Sequence, residues 1–212
     1  MKTIWNMWFR ARRSALKLIG DCNGVAAIEF AMIVPIMLVM FFGTVEFSTG
    51  VAVNRKVTLI ARTLSDLTSQ SLSVADTDLI NFFTASNAIM TPYPSAPTQA
   101  NLCELYVDLV TLQVRVEWNK SATFNSSGAV VLAPGLAANC PVTIPSQLAV
   151  GGTYLIFSKV TYPYTPVVNY AMSQTAVTFT LSDVSYTRPR QSSCVIYPTP
   201  PVGTPLGNCP TT

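Results

Sequence analysis

The chain has 212 residues, half of them hydrophobic and only 11% charged, a balance too apolar for a domain whose whole surface meets water. Its length admits one globular unit of ordinary size plus a membrane segment, and hardly two full domains. The formal charge of +3 gives no footprint for a nucleic-acid partner. Lys2, Arg10, Arg12, Arg13 and Lys17 against Asp21 concentrate the positive charge before Val25, and no basic stripe interleaved with aromatics follows.

Residues 1–24 read as a basic leader, with Trp5, Trp8 and Phe9 among the cations in a pattern suited to a membrane interface. From Val25 to Val45 runs VAAIEFAMIVPIMLVMFFGTV, about the 20 residues a helix needs to cross a bilayer. Because the cations all precede this run, the positive-inside rule keeps the leader in the cytoplasm and sends everything after it outward. Pro35 removes one helical hydrogen bond, a defect that membrane helices tolerate when neighbouring groups compensate. The helix is expected to reach about residue 70, since Val53, Val57, Ile60, Leu64 and Leu67 recur at alternating steps of four and three. Such a seam packs on the chain's own domain in the plainer reading and on a neighbouring subunit in the other.

Ser73 and Asp76 offer a capping-box-like start for a second helix through Leu79, Phe82, Phe83 and Ile89, which Pro92, Pro94 and Pro97 stop. The period then changes to two. Leu112, Val114, Val116 and Trp118 alternate with Thr111, Gln113, Arg115 and Glu117, as one half-buried strand requires. A second strand is expected over Tyr154 to Tyr162, bounded by Gly151-Gly152 and Pro163. A third carries Val177, Phe179 and Leu181, with an apolar phase that slips at Asp183 before Val184 and Tyr186, as at a bulge or at the strand's end. The proline-rich tail from Arg188 is expected to lie outside the core as an irregular segment clipped by a disulfide.

Cys22 lies before the apolar run, and Cys103, Cys140, Cys194 and Cys209 lie after it. An even set in an exported domain reads as two staples, and sequence proximity favours Cys103 with Cys140 and Cys194 with Cys209, one of three connectivities. Closing the shorter loop is worth about 3 kcal/mol in a chain-entropy estimate. Zinc is the rival, but no CxxC spacing occurs and the chain has no histidine, so no metal is expected. Cys22 is not a lipidation site, because Asp21 precedes it and the apolar stretch follows rather than leads.

The most informative string is Gly24-Val25-Ala26-Ala27-Ile28-Glu29-Phe30. A carboxylate at the centre of a membrane helix costs about 2.5–3.5 kcal/mol, and less near an end, so Glu29 calls for a cation. Cleavage between Gly24 and Val25 would create one: the new α-amino group lies about 6 Å along the axis from Glu29 at 1.5 Å per residue. Paired within the chain it neutralises Glu29; paired with an adjacent subunit it fixes the register between packed helices. Gly24 suits the scissile position, since a residue without a side chain lets a protease approach the backbone.

The leader, Gly24, Glu29-Phe30 and the apolar run resemble the class III signal of type IV pilin-like proteins. More narrowly, AAIEFAMIVPIMLVMFFGTVEF, with its second glutamate at Glu46, is similar to the TadE-like pseudopilins of the tight-adherence (Tad, or Flp) pilus system. The stretch VTYPYTPVV from Val160 and the run ending in Arg188-Pro189-Arg190 are similar to the end of that family's domain. The resemblance implies cleavage by a prepilin peptidase after Gly24 and a structural, non-enzymatic role in the bacterial inner membrane. It also implies partners among other pseudopilins, the major Flp pilin and the pilus assembly platform, with Glu29 and Phe30 acting in assembly and register. The length of the exported part fits a minor pilin better than the short major one.

An anchored hydrolase is the rival from another class. Without histidine the Ser-His-Asp and Cys-His arrangements are unavailable, and no GxSxG, SxxK or Gly-rich phosphate loop stands out, so neither catalytic residues nor a cofactor is expected. The acids Glu104/Asp108 and Asp76/Asp78 are close enough in sequence for paired-carboxylate chemistry, but surface acids look the same. The expected fold is α+β: a cleaved leader over 1–24, a transmembrane and extended helix over 25–70, and a disulfide-stapled periplasmic domain over 71–212 with a second helix and an antiparallel sheet. The alternative is an uncleaved signal anchor carrying an exported binding or adhesive domain.

Overall fold

The computed structural model describes residues 24–125, 127–135, 140–141, 143–166, 178–201, 207 and 209. Residues 1–23 of the expected leader, Cys22 among them, and Val177 therefore lie outside the described residues. The chain divides into two units, Met1–Phe47 and Ser48–Thr212. Helix α1, Val25–Ser69, contributes its first half to one and its second half to the other.

In the second unit α1 buries Val53, Val57, Ile60, Ala61 and Leu64, so the seam packs on the chain's own domain. The stripe then turns polar: Thr68 and Ser69 are buried where the spacing had placed Leu67, which is half-buried. Hydroxyls can occupy this face because each donates to a carbonyl one turn back, Ser65 Oγ to Arg62 O at 3.0 Å and Thr68 Oγ1 to Leu64 O at 2.9 Å. Helix α2, Asp76–Asn87, is capped at Ala75 rather than Ser73. The Asp78 carboxylate accepts the Ala75 N–H at 2.9 Å, the carboxylate half of a capping box, while Ser73 joins a short parallel bridge to Ile196. A 3₁₀ turn, Ala88–Met90, follows.

Five antiparallel strands complete the unit: β1 Gln99–Val107, β2 Val114–Phe124, β3 Val130–Pro134, β4 Thr153–Tyr164 and β5 Phe179–Thr187, in the order β3-β2-β1-β4-β5. The α+β architecture expected from the sequence is the one observed. Before β2, Asp108 Oδ1 accepts the N–H groups of Val110 and Thr111 at 2.9 and 2.7 Å, and Leu112 takes a left-handed φ of 56°. Leu112 thus belongs to a turn and not to the strand. Gly151 fits against this turn because a Cβ there would lie 2.8 Å from the Leu109 carbonyl oxygen.

The Leu112 to Trp118 alternation does not define one face. Glu104 pairs with Trp118 and Leu105 with Val116, leaving Glu117 as an extra residue in a bulge. Side chains change sides across it. Trp118, Ala122 and Phe124 face the helices with Leu102, Ile156 and Val160, whereas Val114 and Val116 pack on the opposite face with Cys103, Leu105 and Phe157. That second face is closed by Cys140, Ile144 and Leu148. On β5 the apolar slip is neither bulge nor strand end, since pairing with β4 runs unbroken from Phe179 to Thr187. Leu181 faces the helices and Tyr186 faces Phe157 on the other side, so the strand serves two cores in turn.

Two disulfides join the cysteines nearest in sequence, Cys103 to Cys140 and Cys194 to Cys209. The tail expected to lie outside the core is part of it. Val195 is fully buried among Trp118 and the helix residues, and Arg190 N–H donates to Ser69 O at 2.8 Å, satisfying a carbonyl at the end of α1.

Candidate functional site

In the first unit the helix from Val25 is long and apolar enough to cross a membrane by length and composition. No polar face exists to turn towards water, and none of its large apolar side chains is buried: Val25 is 55% exposed, Phe30 69% and Met40 67%. A helix apolar on all sides belongs in lipid or among other helices. Gly24 stands immediately before the helix with open space about its Cα, and Glu29 is exposed one turn into it. The residues expected to act in processing (Gly24, Val25) and in register (Glu29, Phe30) therefore sit together in the opening turns of α1. Thr44 is accommodated in this half by donating to Met40 O at 2.8 Å.

A second constellation, in the other unit, went unread in the sequence. Glu104, taken there as a surface acid, is 1% exposed. Its Oε1 accepts the Val195 N–H at 2.5 Å, and the indole N–H of its cross-strand partner Trp118 donates to Val195 O at 2.8 Å. One residue of the tail is thus gripped through both its backbone N–H and its carbonyl by adjacent strands. Burial pushes the Glu104 carboxyl up to about 7, against the downward pull of the Val195 N–H and the Trp118 indole, and the like charge of Glu117 adds to the rise.

The other acids are committed elsewhere. Asp108 is exposed and caps its own turn, where the N–H groups of Thr111 and Val110 hold its carboxyl below the usual range. Asp76 accepts from Lys120 Nζ at 2.9 Å and from the Tyr197 hydroxyl at 2.8 Å, which lower it likewise, Lys120 foremost. Lys120 also lies 4.8 Å from the Tyr197 ring centroid, and Arg190 pairs with Asp66 at 2.5 Å. These contacts fasten the tail to α1, α2 and β2. A proline-rich sequence without periodicity gives no warning of them.

The family model described as TadE-like protein matches residues 24–64. No curated protein matches the chain, and no solved structure does. The match opens at the glycine that precedes α1, spans the exposed apolar half and ends at Leu64 in the buried seam. Residues 24–64 are thus similar to the TadE-like model, and that segment comprises the exposed apolar part of α1 together with most of the buried seam.

Proposed function

We propose that this chain is a structural pseudopilin, or minor pilin, that takes part in assembly of Tad (Flp) pili after a prepilin peptidase removes its leader between Gly24 and Val25. The observation that carries the reading is the coincidence of a TadE-like match starting at Gly24 with a helix whose first half buries none of its large apolar side chains. The freed Val25 amine supplies the cation that Glu29 calls for, in its own chain or in a neighbour's, so that processing and helix register are coupled. The partners are other pseudopilins, the major Flp pilin and the assembly platform. The chain spans the bacterial inner membrane once, with its stapled unit on the periplasmic side, where disulfides persist.

The test is the mature N-terminus, read by mass spectrometry of protein purified from cells with and without the prepilin peptidase. A peptidase-dependent start at Val25 is expected. An intact Met1 in both strains would favour the second reading, an uncleaved anchor carrying a binding or adhesive domain, and a start beyond residue 45 would exclude both. In the same cells Glu29→Gln is expected to leave processing intact and to lower pilus output.

A further inference from the structure

Glu104 is the one fully buried carboxyl among the described residues, and it touches no cation. The charged and titratable groups on the neighbouring elements are otherwise engaged. From β2, Glu117 pairs with Arg115 at 2.9 Å. From β1 and β4, the rings of Tyr106 and Tyr154 pack at a tilt with centroids 4.9 Å apart, with the Arg115 guanidinium 5.0 Å from the Tyr106 ring centroid. From the tail, Tyr197 lies on Trp118 and shares Asp76 with Lys120. From α1, Asp66 is taken by Arg190.

What Glu104 does touch is the middle of the tail. Around Val195 the segment is stitched to the chain by bonds of fixed protonation: Val74 N–H to Ile196 O at 2.9 Å, Ile196 N–H to Leu72 O at 3.1 Å and Thr199 N–H to Val74 O at 3.1 Å. Glu104 is the titratable member of this set. Ionised, it is a desolvated charge with only the Val195 N–H and the Trp118 indole for compensation, and water can reach it when the segment lying over it lifts.

We infer that Glu104 is a proton-operated latch: while the carboxyl is protonated, residues 190–199 stay seated on the helix-covered face of the sheet, and loss of that proton to water loosens the segment and uncovers Trp118. The Cys194–Cys209 bridge is left intact by this opening. The direction follows from the upward displacement of the carboxyl. The closed form binds the proton more tightly than the open one, so closure is strongest below the ordinary glutamate range and weakens as pH rises towards about 7. The latch is a property of the folded unit and does not depend on leader cleavage or pilus membership.

Amide exchange of the full chain in detergent, corrected for the intrinsic pH dependence of exchange, tests it. The opening constant at Val195 and Ile196 is expected to exceed that at core amides such as Ile156 throughout, and to rise at least tenfold between about pH 5 and 8, levelling above neutrality. In Glu104→Gln the tail amides should lose this pH dependence. A flat wild-type profile, or the same rise in the Gln variant, overturns the latch. Should the Gln variant not fold, the wild-type Glu104 carboxyl can be titrated by carbon NMR. A midpoint near 7 that tracks the exchange supports the latch, and one near the ordinary value of about 4.3 overturns it.

Discussion

The two halves of α1 share one helix and meet different surroundings. From Val25 to Phe47 apolar side chains lie on every side and none of the large ones is buried, whereas from Val53 onwards a single stripe is buried and its last positions are hydroxyls that bond back to the helix. Propensity and backbone geometry are common to both, so the difference lies in what each half packs on. The second half is completed by its own sheet. The apolar side chains of the first are left largely exposed among the described residues, and on the proposed reading it is the part that meets lipid and other subunits.

The comparison can be broken first by truncating matched leucines. Leu64→Ala removes a fully buried side chain and is expected to cost about 2–5 kcal/mol, read as thermal or denaturant unfolding of the full chain in detergent. Leu38→Ala, in the exposed half, should leave that transition unmoved. Equal losses from both would mean that the halves are not distinct.

Breaking the shorter staple comes next. Replacing Cys194 and Cys209 together by serine is expected to lower stability by about 3 kcal/mol, in keeping with their 15-residue separation, with no effect on insertion of the apolar half. The smallest effect belongs to the exposed pair. Asp76 is held below its ordinary range by Lys120, so its contribution is present above that range and fades as pH falls through the lowered value. Because Asp76 is more than half exposed, Asp76→Asn should cost less than about 1 kcal/mol near neutrality and nothing in strong acid, measured as the unfolding midpoint against pH.

What the sequence made legible follows the same division. The exposed half of α1 announces itself by composition, and the buried seam by spacing, because each faces one kind of surroundings throughout. β4 could be read from its flanking glycines and its apolar run. β1 could not: Cys103 to Val107 are buried on both faces, by α1 and the tail on one side and by Ile144 and Leu148 on the other, so no alternation survives. On β2 the Glu117 bulge makes an apparent single face out of two. Glu104 looked like a surface acid because nothing local signals burial. Its cover is the tail ninety residues later, and the pairing that brings Trp118 beside it is a long-range property of the sheet.

Photo-crosslinking in living cells tests most directly the claim that the exposed half is built for partners. With a crosslinking residue in place of Phe30, Met37 or Phe41, protein adducts with other pilus components are expected, and a crosslinker at buried Ile60 should yield none. Lipid adducts alone at all three exposed positions, in cells that assemble pili, would contradict the account and reduce the segment to a plain anchor.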